Sequence, residues 1–419
     1  MVTRDASALD PRRIRELFDL RSEVYAARGG AFEGDIYPEF HRLRETGPVH
    51  PGIVGPLVGF HGDAFFPGLP YPELPHFSVF DYATCQAVLR DTETFASAPA
   101  IPGFENERSE TVLLFMDGAR HRRYRALVQP SFVPKQAGWW IDRWISSTVH
   151  MLIDTFEAAG RADLNVEFCA AIPLLTICGS FGVGAADALR IKAAATSDGR
   201  SPDAFVDIVM PIVAARRRDP QDDLISVLAQ AEITDEDGER HTLTDEEILG
   251  FAFLLLTAGS GSTWKQMGIT LLTLLTHPTW LEAVRADRAL LRPAIDEAIR
   301  WTPTDPMFSR FARVDTTLRE VAIPAGSVVH LCFGAANRDP ARWERPDEFD
   351  PTRPAGPHLG FGGGPHICLG MHVARAEIHT AVSALLDRLP GLRLDSHAET
   401  PRVIGMYERG PSAVPVVWR

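Results

Sequence analysis

The sequence predicts a mainly α protein with a small β-rich portion, and three observations lead there. Apolar residues recur at helical spacing through most of the stretch from Asp117 to Leu290. One helix alone, opening at Thr244, would run about 33 residues and roughly 50 Å, a rod that only a large helical body can bury. After Arg300 the pattern shifts to short apolar runs separated by turns such as Pro324-Ala325-Gly326.

Taken in order, Asp35–Glu45 reads as a short amphipathic helix, followed by Pro- and Gly-rich chain and a strand at His76–Phe80. Asp81 is placed to cap a helix ending near Arg90. Further helices are expected at Gly138–Ala159, Phe168–Phe181, Asp222–Ala231, Thr244–Thr276 and Pro278–Ala286. Thr244 with Glu247 three residues on forms a capping box. Phe311–Val314, Val321–Ile323 and Val328–Cys332 look like strands. The chain from Asn337 to Gly364 has no period, a last helix spans about Leu369–Leu389, and the carboxyl end is again strand-like. With no repeat and no convincing linker, residues 1–419 read as a single domain whose β portion is drawn from both ends.

Composition narrows the function. The 419 residues are 45% hydrophobic and 23% charged, enough apolar surface for a large core. A net charge of −13 argues against general nucleic-acid binding. The amino-terminal segment carries charges throughout and does not read as a signal peptide. Leu249–Ala258, the longest apolar run, is about half of the roughly 20 residues a membrane span needs. The expectation is a soluble, cytoplasmic protein. Its five cysteines are scattered and include no C-x-x-C, which speaks against a disulfide framework, a cysteine zinc site and thioether-attached haem. His358, His366, Cys368 and His372 match no zinc spacing either.

The most informative segment is Phe361–Gly370, FGGGPHICLG. Three consecutive glycines let backbone pass close to something flat or bulky. Cys368 then sits just before a helix, where free N–H groups and the helix dipole favour a thiolate. Such a thiolate is a good axial ligand for haem iron.

Here the chain resembles the cytochrome P-450 superfamily of haem-thiolate monooxygenases. The family's haem-loop pattern F-G-x-G-x-H-x-C-x-G is matched at Phe361, Gly362, Gly364, His366, Cys368 and Gly370. The resemblance implies the cytochrome P-450 fold, haem b (iron protoporphyrin IX) as cofactor, and Cys368 as the fifth iron ligand, with Phe361, Gly362 and Ala258 against the haem. An E-x-x-R pair, Glu297 and Arg300, precedes N-R-D-P at Asn337–Pro340 in the family's order; by resemblance it locks the irregular segment behind the haem. His121 and Arg125, four apart on one helical face, suit a haem propionate. Arg310 and His366 resemble further propionate ligands.

The resemblance implies insertion of one oxygen atom from O2 into a small apolar substrate, with electrons from a separate ferredoxin-type partner and its NAD(P)H reductase. A terpenoid, steroid, aromatic or alkyl compound would suit the largely apolar wall positions, Leu113–Phe115, Leu255, Ala258, Pro306–Phe308 and Met406–Tyr407. Arg120, Arg122, Arg123 and Lys135 make a basic patch suited to an acidic redox partner. Nucleic acid and membrane are not expected partners.

Two features depart from the family. The long helix should carry A-G-x-acid-alcohol, yet here Ala258-Gly259-Ser260 is followed by Gly261 and Ser262, with no Asp or Glu between Thr257 and Gly268. Glycine in a helix costs roughly 0.5–1 kcal/mol against alanine, so Gly259 and Gly261 suggest a local opening, with Ser262 left as the proton relay. Secondly, only 31 residues separate Gly184 from Arg216, room for two short helices around Gly199–Pro202. The missing acid leaves alternatives: a peroxide-dependent or non-oxygenating haem-thiolate enzyme, or a non-catalytic haem-based binding or sensing protein.

Overall fold

The computed structural model describes residues 11–19, 32–61, 73–97, 112–196, 203–234 and 238–418. The helices that matter for the site are α1 (Tyr82–Arg90), α2 (Gly118–Val128), α3 (Ala171–Ser180), α4 (Ala185–Thr196), α5 (Asp203–Arg218), α6 (Asp245–Thr276), α7 (Leu291–Trp301) and α8 (Met371–Arg388). Asp81 caps α1 by accepting from the Thr84 N–H. Thr244 and Glu247 form the expected capping box at the start of α6, a 32-residue rod whose carboxyl-terminal half is buried on nearly every side. That burial suits its composition, which beyond Thr263 is mostly apolar on every side, with Lys265 and Gln266 as buried exceptions. Around α6 pack α3, α5, α7 and α8.

A five-stranded sheet flanks this body. Its strands are β1 (Val49–Pro51), β2 (His76–Val79), β3 (Phe95–Ala96), β4 (Phe308–Ala312) and β5 (Val328–Leu331), in the order β1-β2-β5-β4-β3. The β2–β5 pair is parallel and the others antiparallel, so strands from the two ends of the chain interleave. Arg161–Asp163 likewise pairs with Pro415–Val417. A hairpin of β6 (Val403–Ile404) and β7 (Gly410–Pro411) lies against α6.

Arg300 explains how the segment without periodicity is held. Buried with Glu297, it donates to the carbonyls of Asn337 (2.7 Å), Pro346 (2.9 Å) and Glu348 (3.1 Å). Glu297 in turn accepts from the Asp350 N–H at 3.1 Å and Arg353 at 3.2 Å. Asn337 accepts the Leu359 N–H at 2.6 Å, tying this segment to the start of the cysteine loop.

Two expectations need adjusting. The strand expected from Phe311 begins at Phe308, which places Arg310 inside β4, opposite Val329, rather than ahead of the strands. The helix expected over Gly138–Ala159 is observed, but with a wider π turn at Ile141–Ile145. The short segment after Gly184 does form two short helices, α4 and α5; residues 197–202 between them, Gly199–Pro202 included, lie outside the described residues. No single helix among the described residues is long and apolar enough to cross a membrane.

Candidate haem-thiolate site

Cys368 closes a tight loop, its N–H bonded to the Phe361 carbonyl at 2.9 Å, with the Gly362 N–H on Leu359 O at 2.9 Å and the Ile367 N–H on Gly364 O at 3.1 Å. Gly362 and Gly364 both have positive φ, +67° and +64°. Their reasons differ. A Cβ at Gly364 would fall 2.0 Å from the Leu89 carbonyl at the end of α1, whereas one at Gly362 would meet open space. Close approach in this loop is therefore partly to the chain itself.

Cys368 is accessible to water although it lies deep in the fold. Burial pushes its thiol up, against the pull of the Gly370 N–H and the guanidiniums of Arg125 and Arg375. In the metal-free protein, burial thus opposes the thiolate that the start of the helix favours. A coordinated metal, which deprotonates a thiol outright, would have to supply the charge state.

Around this cysteine the sequence-predicted anion binders converge from three elements. The rings of His121, on α2, and His366 stack with centroids 3.9 Å apart. Arg125, one turn further along α2, donates to the Ile367 carbonyl at 2.7 Å. Arg310 is 4% exposed, and its bonded partner is the carbonyl of its own neighbour Ser309, at 2.9 Å. Buried His121 Nε2 has no hydrogen-bond partner among the described residues. Burial, His366 and Arg125 push the His121 imidazole down to about 4. A buried guanidinium that feels Asp117 only at a distance and forms no ion pair among the described residues, and an orphaned ring nitrogen beside a reachable thiol, are what a dianionic, flat, thiolate-ligated group requires. The residues fit a haem.

Sequence reasoning missed Asp117, which precedes α2 and ties the set together. It accepts from the Ser97 N–H at 3.0 Å and Arg313 at 2.8 Å, and lies 3.5 Å from His366 Nε2. Its carboxyl is held below its usual value although burial works the other way, because His366 and the Ser97 N–H outweigh it. The signal was its place four residues before His121, within one helical turn.

On α6, Ala258 is exposed within an otherwise largely buried helix, and a Cβ at Gly261 would meet nothing within 4 Å. The expected local opening is absent: α6 runs unbroken through Gly259 and Gly261. Instead the hydroxyls turn back onto the helix, Ser262 to Ala258 O at 2.9 Å, Ser260 to Leu256 O at 2.7 Å and Thr257 to Phe253 O at 2.8 Å. Each oxygen keeps acceptor capacity for a water. Of the expected apolar wall, Met307, Met406 and Tyr407 are packed into a small core with Phe40 and Phe80 rather than facing open space. Leu114, Phe115, Ala258 and Phe308 are at least partly accessible.

Comparison with known proteins gives a consistent answer. The family described as "Cytochrome P-450" matches residues 201–391. The mycinamicin IV hydroxylase/epoxidase of Micromonospora griseorubida is 35% identical over 356 residues, 80% of this chain and 88% of its own. Cytochrome P-450 monooxygenase PikC of Streptomyces venezuelae is 33% identical over 94% of this chain and 93% of its own. Among solved structures, cytochrome P-450 PksS of the bacillaene polyketide synthase of Bacillus subtilis 168 superimposes with a TM-score of 0.78 at 27% identity, covering 91% of this chain and 96% of that one.

Proposed function

The chain belongs to the cytochrome P-450 family, and on that premise we propose that it inserts one oxygen atom from O2 into an apolar organic substrate, with electrons from a separate ferredoxin and NAD(P)H reductase. Residues 1–419 act as one catalytic domain. The observation that carries this reading is the meeting of His121, Arg125, Arg310 and His366 around the water-reachable Cys368. Haem b, bound there, supplies the activation of oxygen.

The chain's own residues do the rest. Cys368 ligates the iron. Arg125 and Arg310 donate charge-assisted hydrogen bonds to the propionates, with His121 Nε2 and His366 as neutral donors. Phe361, Gly362 and Ala258 would lie against the haem, and a Cβ at Gly362 meets no other part of the described chain. Ser262 Oγ holds the water through which protons arrive, and Gly261 leaves it room. Leu114, Phe115, Ala258 and Phe308 offer the substrate an apolar wall, whereas Leu255 is packed in the main core. Arg120, Arg122 and Lys135, exposed on the surface that carries Arg125, suit an acidic electron donor.

Gly261 favours one second reading, in which peroxide replaces O2 and reductant. Turnover with a ferredoxin system and with hydrogen peroxide, compared on the same substrate, separates the two. Coupled product formation with ferredoxin and O2 supports the monooxygenase; product from peroxide alone overturns it.

A further inference from the structure

Lys265 is fully buried, 0% exposed, on the polar-poor half of α6, and its ammonium is paired with Glu408, which is 26% exposed. Gln266, another buried polar side chain of this turn, is used up in structure: it accepts the Thr304 N–H at 2.8 Å and donates to Thr302 O at 3.3 Å. A buried ammonium such as that of Lys265 is costly to keep.

Its position on the helix suggests why it is kept. Gly268 packs on Pro411 of β7, where an added Cβ would be 2.7 Å from the ring. Lys265, three residues nearer the helix start, meets Glu408 in the turn between β6 and β7. The hairpin thus follows the stripe 268–265, and the next position on it is Gly261, where a Cβ would meet nothing. Positions four apart on a helix lie about 5–6 Å from each other, and helical side chains lean toward the amino end. An acid at 261 would therefore pair with Lys265. Instead the hairpin brings Glu408 to that ammonium.

We propose that Glu408, oriented by Lys265, is the carboxylate that serves the gap at Gly261 as a proton conduit. This rests on the monooxygenase reading above. Glu408 takes a proton from bulk water at its carboxylate and releases one to water in the gap. That water donates to Ser262 Oγ, which passes its own proton on to the site. Glu408 returns to the carboxylate, and nothing is oxidised or reduced in the relay. Lys265 is a positioning residue.

The test uses haem-loaded enzyme with O2 and a ferredoxin system, reading product and peroxide per NADH, beside equilibrium unfolding in urea. Glu408→Gln should lower product per NADH several-fold and raise peroxide, and Gly261→Glu added to it should restore coupling. In unfolding, Gly261→Glu should stabilise Glu408→Gln more than it stabilises the double variant Lys265→Gln/Glu408→Gln, which lacks the ammonium. That double variant also covers the case in which Glu408→Gln alone fails to fold. Unchanged coupling in Glu408→Gln, with Ser262→Ala impaired, overturns the inference and leaves the monooxygenase reading standing. So does loss of coupling that Gly261→Glu rescues in neither measurement. Wild-type enzyme that yields no product from O2 overturns that reading itself, and the inference with it.

Discussion

Arg300 closes on Glu297 with two parallel hydrogen bonds of 2.7 Å, Nε to Oε2 and Nη2 to Oε1, and the pair is 2% and 6% exposed. The same three-residue spacing on a surface would contribute a few tenths of a kcal/mol. Here every remaining donor is spent on carbonyls that shape the chain toward the cysteine loop.

Glu297→Gln should therefore cost roughly 3–5 kcal/mol, because it leaves a buried guanidinium uncompensated. Arg300→Lys should cost nearly as much, since an ammonium cannot reproduce the planar fork. Urea unfolding, read by far-UV circular dichroism and haem absorbance, measures both.

Binding of haem should depend on Arg125 and Arg310. Each contributes a charge-assisted hydrogen bond worth about 1.5–3 kcal/mol, so Arg125→Ala or Arg310→Gln should weaken haem affinity roughly 10–100-fold. The rate of haem transfer to apomyoglobin reports this directly. A loss confined to protein stability, with haem transfer unchanged, would count against the propionate role.

Acid should destabilise the protein through a cluster outside the haem site. His330, fully buried on β5, accepts or donates at 2.9 Å to both His76 Nδ1 and Ser309 Oγ. Burial and the neighbouring His76 push it down to about 3. In the unfolded chain the same imidazole takes up its proton near pH 6.5. Stability is thus fully present above pH 6.5 and is lost as pH falls from there toward 3, by about 1.4 kcal/mol per pH unit for this group. His330→Gln should flatten the pH dependence of urea unfolding between pH 6 and 4.

Ser262→Ala should lower product per NADH while leaving the substrate-induced spin shift almost intact. Proton assistance of this kind is worth about 10²–10⁴-fold in rate. Gly261→Asp with Ser262→Thr should improve coupling, since position 261 has room for a side chain. Product and peroxide yields per NADH decide it.

Much of this was legible in residue order. The capping box at Thr244 and Glu247, the Asp81 cap and the haem loop are local patterns, and the structure has each where the residues put it. The direction of the Cys368 shift was not legible, because helix position is local while burial is set by the whole fold. Nor could spacing reveal Asp117 as the partner of both His366 and Arg313, or the pairing of Lys265 with Glu408 across 143 residues. Such pairs exist only once the topology brings distant segments together. The continuity of α6 through its glycines follows from the same cause, since packing of α3, α5, α7 and α8 around it outweighs a local propensity deficit of roughly 1 kcal/mol per glycine.

Ligation of haem iron by Cys368 as a thiolate is read most directly in the absorption spectrum of the reduced, carbon-monoxide-bound protein. A Soret band at the position that marks thiolate ligation is expected, and its loss in Cys368→Ala. A band far from that position in the wild-type protein, or one retained in Cys368→Ala, would contradict it.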